Sequence, residues 1–226
     1  MKIAVLGTGG VGRTVASALA GLGHDVTIGT RDPATLAART EPDGMGNPPF
    51  SAWHADHGDV EVRAFADIGE GAGLIVNATL GTGSIPALEA VGAEALRGHT
   101  ILDISNPLDF SKGFPPSLFV SNTDSLAEQI QAAFPEARVV KSLNTVTAAL
   151  MVDPLSLAGG EHAMFVCGND DGAKVEVTGL LQQLGWRHIV DLGDLTAARA
   201  LEMYVPLWLR LYQVSGTPMV NVAVVT

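Results

Sequence analysis

Six residues near the N-terminus, Gly7-Thr8-Gly9-Gly10-Val11-Gly12, fit the pattern G-x-G-x-x-G. In such a turn the first glycine allows the tight bend, the second lets backbone approach a pyrophosphate, and the third lets helix and strand pack closely. A helix that starts there presents unpaired N–H groups and a partial positive charge to phosphates. Glycine-rich turns also join strands to helices without any ligand. Here the turn follows the first apolar run of the chain, Ile3-Ala4-Val5-Leu6, and precedes an amphipathic segment, which is the context a dinucleotide site requires. About one strand later the chain reads Gly29-Thr30-Arg31-Asp32. A carboxylate at this place binds a ribose 2′-hydroxyl, whereas an arginine accommodates a 2′-phosphate. Thr30 and Arg31 therefore point to NADP, and one Arg–phosphate contact of roughly 1.5–3 kcal/mol gives about a ten- to hundredfold preference. In the alternative, Arg31 faces solvent and Asp32 takes the ribose of NAD.

Three further clusters fall at the ends of expected strands: Asn77-Ala78-Thr79, Ser105-Asn106-Pro107, and Asn144-Thr145. Ligands of doubly wound sheets bind outside the carboxyl ends of the strands. All three clusters are uncharged and rich in amide and hydroxyl groups, suited to a carboxamide and a ribose. Asn, Thr and Pro also end strands for purely local reasons. Oxidation of an alcohol would need a positioned Lys, His or Tyr as acid or base. Lys2, Lys112, Lys141 and Lys174 lie in no recognisable catalytic motif. His24, His54, His57, His99, His162 and His188 flank strands or sit in a Gly/Pro-rich stretch. Tyr204, Trp208 and Tyr212 share a four-residue spacing typical of a packed helix face. A hydride passed directly between two redox cofactors would require no such proton-transfer group.

These residues need an alternating scaffold to hold them. Apolar runs at 3–6, 26–29, 60–62, 74–79, 100–105, 138–143, 163–167 and 188–192 read as strands. Helical spacing is seen in Val11 to Leu22, Ala87 to Leu96, Asp124 to Phe134 with Asp124 as the N-cap candidate, Asp170 to Leu184, and Thr196 to Tyr212. Pro206 should kink that last helix or divide it. The stretch 40–59 is rich in Pro and Gly and reads as a surface excursion. The apolar tail, Met219 to Val225, reads as a strand or an interface segment. The fold class is α/β, a Rossmann-type doubly wound and mostly parallel sheet with a C-terminal α/β extension. We expect one domain, with a core at about 1–136 and an extension at about 137–226 that completes the site.

The chain has 226 residues, a formal net charge of −11, 47% hydrophobic and 16% charged residues, and a single cysteine, Cys167. The acidic balance leaves no basic stripe for nucleic acid. One cysteine excludes a disulfide framework, and no metal site is expected. No apolar run approaches the ~20 residues of a membrane span, and no export signal is apparent, so a cytoplasmic protein without membrane partners is expected. The apolar last helix and tail suggest a homodimer.

Five segments carry a resemblance: Gly7 to Gly12, Gly29-Thr30-Arg31, Lys141-Ser142-Leu143-Asn144-Thr145, Val166-Cys167-Gly168-Asn169-Asp170, and Asp191-Leu192-Gly193 through Arg199-Ala200-Leu201-Glu202. In these the chain resembles the coenzyme F420-dependent NADP oxidoreductases and the related reductase domain of STEAP-type metalloreductases. The resemblance implies hydride transfer between NADP(H) and the deazaflavin F420, with protein catalysis mainly by positioning. It implies that Thr8, Thr30 and Arg31 hold the adenosine phosphate end. Ala78, Thr79, Asn106, Pro107, Asn144 and Thr145 would lie along the nicotinamide half, the last pair at the catalytic centre. Arg199 matches an arginine on the deazaflavin side; its alternative role is a pairing with Glu202 on one helical face. Two other functions remain open from the residues: an NADPH-dependent flavin or small-molecule reductase, and a non-catalytic NADP-binding redox sensor.

Overall fold

The computed structural model describes residues 1–43, 46–69 and 71–225. Strand β1 (Lys2–Leu6) is buried along four of its five residues, as a central strand covered on both faces must be. Helix α1 (Gly10–Gly21) returns the chain to β2 (Asp25–Thr30). Two short helices, α2 (Pro33–Ala37) and α3 (Phe50–Ala55), precede β3 (Glu61–Ala64). Then come β4 (Leu74–Asn77), α4 (Gly81–Val91), α5 (Ala93–Leu96) and β5 (Thr100–Asp103). An antiparallel pair, β6 (Leu108–Asp109) and β7 (Ser117–Leu118), leads to α6 (Leu126–Ala133) and β8 (Arg138–Ser142). The remainder is α7 (Ala148–Val152), β9 (Ala163–Gly168), α8 (Asp171–Gln183), β10 (His188–Asp191), α9 (Ala198–Met203) and α10 (Val205–Ser215).

Eight strands form one sheet in the order β10-β9-β8-β5-β4-β1-β2-β3. Neighbours are parallel except β8 and β9, where Ser142 pairs with Val166 and Val140 with Gly168. This is the α/β, Rossmann-type, mostly parallel architecture that the strand–helix alternation predicts. The chain leaves β1 toward β2 and later returns to its other side with β4. That reversal opens a crevice at the carboxyl ends of β1 and β4, where ligands of such sheets bind. Apolar side chains cover both faces: Val15, Leu19, Phe50, Met151 and Trp186 on one, Leu88, Leu126, Ile130 and Leu201 on the other. Each fully buried leucine contributes on the order of 1.5–3 kcal/mol.

The reversed direction of β9 sorts the specific segments of the sequence to opposite edges. The Gly168-Asn169 turn and the Asp191-Leu192-Gly193 turn lie at the edge away from the crevice. There Gly168 N–H donates to Gly193 O at 3.1 Å and Leu195 N–H to Asn169 Oδ1 at 3.0 Å. Lys174 Nζ reaches Asp191 Oδ2 at 2.9 Å. These turns fasten the last parallel strand pair and act far from any ligand in the crevice.

Several local expectations change. The N-cap of α6 is Ser125, not Asp124: the Ser125 hydroxyl accepts from Glu128 N–H at 3.1 Å and donates to Glu128 Oε2 at 2.7 Å. Asp124 instead accepts from Gln129 Nε2 at 2.8 Å. Helix α4 begins at Gly81, six positions before the expected Ala87, because its Gly-Thr-Gly-Ser-Ile-Pro opening hides helical spacing. The excursion at 40–59 carries α3, whose Phe50 is buried in the core; its residues 44 and 45 lie outside the described set. Pro206 divides the last helix into α9 and α10, as its sequence implies. The tail forms no strand among the described residues but docks on its own chain, with Ala163 N–H donating to Val222 O at 2.8 Å. No helix among the described residues is long and apolar enough to cross a membrane.

Candidate functional site

At the β1–α1 turn, Gly7 has φ +125° and a Cβ there would lie 2.5 Å from the Ala78 carbonyl oxygen. A Cβ on Gly12 would lie 2.2 Å from Gly7 O, so the helix packs directly on the turn. A Cβ on Gly9 would meet nothing, so this peptide faces open space and a ligand can approach it. Gly9 is the N-cap of α1 and supplies no side-chain cap, so among the described residues the first N–H groups of α1, from Gly10 on, have no side-chain acceptor from the cap position. Val11 is half-buried and packs on the core. The sequence reading missed Arg13. Its Nε donates to Thr8 O at 2.7 Å and its Nη1 to Pro48 O at 2.6 Å, with the guanidinium 5.3 Å above the Phe50 ring. It ties the turn from behind to the 48–50 segment.

A cavity of about 630 Å³ joins Gly7, Thr8 and Gly9 to Thr30, Arg31, Ala78 and Thr79. Thr35 and Arg39, neither singled out in the sequence, line it as well. Asp32 also borders it, but its carboxylate caps α2, accepting from Ala34 N–H at 2.9 Å, Thr35 N–H at 3.1 Å and the Thr35 hydroxyl at 2.6 Å. The Thr35 hydroxyl and backbone bonds hold that carboxyl below its ordinary pKa. Arg31 is exposed and Thr30 half-buried at the same wall.

The strand-end clusters converge beside this cavity, but in two layers. Asn77 and Ser105 lie underneath, buried and already hydrogen-bonded. Asn77 Nδ2 donates to Asp103 Oδ1 at 2.8 Å, and Asn77 Oδ1 accepts from the Thr79 hydroxyl at 2.7 Å. Ser105 Oγ donates to Asp103 Oδ1 at 2.7 Å. Above them Asn106 and Asn144 grip each other: Asn106 Nδ2 donates to Asn144 O and Asn144 Nδ2 to Asn106 Oδ1, both at 2.9 Å. Pro107 adjoins them, and a Cβ on Gly81 would lie 2.2 Å from Asn106 O, so α4 abuts this shelf.

Leu143, fully buried, takes φ +61°, a conformation that L-residues adopt under strain. This turn carries Asn144 and Thr145 inward, to 4% and 2% exposure. Asn144 Oδ1 and Thr145 Oγ1 are buried there without a hydrogen-bond partner among the described residues. Each such orphan costs about 1–3 kcal/mol unless a ligand satisfies it. The glycine cradle, the cation pair Arg31 and Arg39, and these two orphaned oxygens fit a dinucleotide whose far end carries a carboxamide and a ribose.

Two charges of the Lys141–Thr145 and Arg199–Glu202 segments prove to be buried. Lys141, fully buried, has its Nζ at 2.7 Å from Asp103 Oδ2, 2.6 Å from Ser105 O and 2.9 Å from Glu202 Oε1. Burial works to lower its pKa, but attraction and hydrogen bonds from Asp103 and Glu202 prevail and raise it, so the lysine stays charged. Glu202 also accepts from Leu126 and Ala127 N–H at 2.8 and 3.1 Å, at the N-terminus of α6. Glu202 is therefore not the partner of Arg199. Arg199 makes a two-pronged pair with Glu128, at 2.8 and 2.5 Å, on the first turn of α6. A Lys-Ser-Leu-Asn-Thr string that puts a lysine inside an apolar strand was the available signal. Cys167 is buried and its thiol is pushed up to about 12 mainly by burial, which rules it out as a nucleophile at neutral pH.

Fold and crevice together define a Rossmann-type dinucleotide-binding α/β protein. The profile of the family described as "NADP oxidoreductase coenzyme F420-dependent" matches residues 2–107. A crystal structure from Arthrobacter sp. FB24, provisionally described as an F420-dependent NADP reductase, is 58% identical, covers 100% of both chains and superposes with a TM-score of 0.96. The F420-dependent NADP reductase of Methanocaldococcus jannaschii is 31% identical over 128 residues, 55% of this chain and 56% of its own length. Metalloreductase STEAP3 of Rattus norvegicus is 26% identical over 208 residues, 91% of this chain and 36% of its own. The chain thus spans about half, or about a third, of the length of these curated relatives. It belongs to the family of coenzyme F420-dependent NADP oxidoreductases.

Proposed function

We propose that this protein is an NADP-dependent oxidoreductase that passes a hydride between NADP(H) and the deazaflavin F420. The observation that carries this reading is a cavity that runs from a glycine cradle flanked by Thr30 and Arg31 to Ala78 and Thr79, with two orphaned oxygens at Asn144 and Thr145 on the strand ends next to it. With Asp32 engaged in capping α2, Arg31 is the group positioned to meet a 2′-phosphate. When bound, NADP(H) supplies the hydride donor or acceptor carbon. The chain's part is to bind and orient. Gly7 to Gly12 and Thr8 hold the pyrophosphate, while Thr30 and Arg31 hold the adenosine ribose phosphate. Ala78, Thr79, Asn106, Pro107, Asn144 and Thr145 orient the nicotinamide half, and Asn144 Oδ1 accepts from its carboxamide. Holding reacting atoms at contact distance can contribute roughly 7–11 kcal/mol of the barrier reduction. Arg199, engaged with Glu128, braces the helix that faces the second redox partner rather than reaching into the crevice as a free cation.

Mixing the protein with NADPH and F420 and following deazaflavin absorbance tests the reading. Rapid bleaching, with deuterium passing from 4-deuterated NADPH to reduced F420, is the expected result. Turnover with free flavin alone would make it a flavin reductase, and tight NADPH binding without turnover of any acceptor would make it a redox sensor.

A further inference from the structure

We propose that Lys141 is a positioning residue: it sets the orientation of the Asn144 amide from below, through the buried Asp103–Lys141–Glu202 cluster. This rests on the reading that Asn144 faces the nicotinamide half. The side chain of Asn144 is fixed by two bonds from Nδ2, to Asn106 Oδ1 at 2.9 Å and to Leu201 O at 3.0 Å. A backbone carbonyl can only accept, so the Leu201 bond identifies Nδ2 and leaves Oδ1, which has no partner among the described residues, as the spare acceptor of the amide. Both acceptors adjoin residues that Lys141 holds. Asn106 follows Ser105, whose carbonyl accepts from Lys141 Nζ at 2.6 Å. Leu201 precedes Glu202, whose carboxylate pairs with Nζ at 2.9 Å. One ammonium therefore keeps the β5 end and α9 at a fixed separation, and Asn144 spans that separation.

Stability alone does not account for such a cluster. Replacing a buried ion triad by well-packed apolar residues is often neutral or stabilising. Lys141 stands between Val140 and Ser142 in a strand buried almost throughout, the kind of position that apolar residues fill in β1 and β4. What an apolar residue would lack is three directed donors. With these, Nζ ties the ends of β5 and β8 to a helix from the far end of the chain, at the place where an amide must be held within tenths of an ångström. The ladder continues through Asp103 to Asn77 and on to Thr79, which lines the cavity. Both walls of the nicotinamide half thus refer to the same cation.

Calorimetric titration of the whole protein with NADP⁺ and with 2′-phospho-ADP-ribose, the same nucleotide without nicotinamide, tests the inference. Wild type should bind NADP⁺ about tenfold more tightly than the truncated nucleotide, the worth of about one good polar contact. In Lys141→Met the affinity for 2′-phospho-ADP-ribose should stay within about twofold, while the preference for NADP⁺ falls to about twofold or less. A purely structural lysine would weaken both nucleotides together and leave their ratio intact, and that outcome overturns the proposal. Should Lys141→Met not fold, Glu202→Gln retains shape and removes one charge; its ratio should fall about threefold, and an unchanged ratio again overturns it. If wild type binds neither nucleotide, the functional reading itself fails. If wild type binds both equally, the shelf holds no nicotinamide and the role of Lys141 falls with it.

Discussion

At the β1–α1 turn the crevice is lined by glycine backbone and by exposed side chains such as Arg31 and Arg39, whereas the ends of β5 and β8 next to it rest on buried charge. The first region spans a few consecutive residues plus one strand end. The second assembles Asp103, Lys141, Asn144 and Glu202 from three elements and the turn after β8. The contrast has a physical origin. A pyrophosphate is a multiply charged anion that a ring of N–H donors recognises without side chains, so solvent at its rim is tolerable. A nicotinamide must be held at one angle and one distance, which calls for side chains whose own rotamers are locked by neighbours.

The sharpest way to break this contrast is at the backbone end. Gly12→Ala places a methyl 2.2 Å from a carbonyl oxygen that cannot move without opening the turn. We expect NADPH affinity to fall by more than about a hundredfold, with a loss of roughly 1–3 kcal/mol in denaturant unfolding. Near-normal affinity in a folded Gly12→Ala protein would show that the turn does not cradle phosphate. Arg31→Ala comes next. Because Arg31 is exposed, melting should be unaffected, while the NADPH dissociation constant rises about ten- to hundredfold and that for NADH stays within about threefold. Equal effects on both nucleotides would return the ribose to Asp32.

The smallest effect belongs to the brace behind the shelf. Hydrogen bonds from Arg199, ahead of an opposing burial effect and a further bond from Ser125, hold the Glu128 carboxyl below its ordinary value of 4.5. A depressed carboxylate stabilises the fold above that ordinary value and loses its contribution as pH falls through the lower folded-state value. Arg199→Met should therefore lower the melting temperature modestly near neutrality. The gap to wild type should narrow progressively below pH 4.5. A gap that stays constant into acid would mean that the ion pair contributes nothing and only packing was lost.

Periodicity and turn chemistry made the alternation of strands and helices, the glycine turn and the Thr30–Arg31 strand end legible, because each depends on residues within one turn or one strand of each other. Short elements such as α2, with five residues, and the two-residue strands β6 and β7 escaped, because none completes a second period of its pattern. Asn77 and Ser105 show the limit at residue level. Their types suit a ligand contact, but which layer they occupy depends on the neighbouring strand, where Asp103 already engages them.

By itself the sequence determined the fold class and the place of the glycine turn at the crevice, since local spacing and composition encode both. Only the tertiary structure decided that β9 runs backward, that Arg199 meets Glu128 across 71 positions, and that Leu126 at the start of α6 meets Glu202 across 76. A buried charge is tolerated wherever the folded chain delivers a counter-charge to it, and no short stretch of residues can announce a partner that distant.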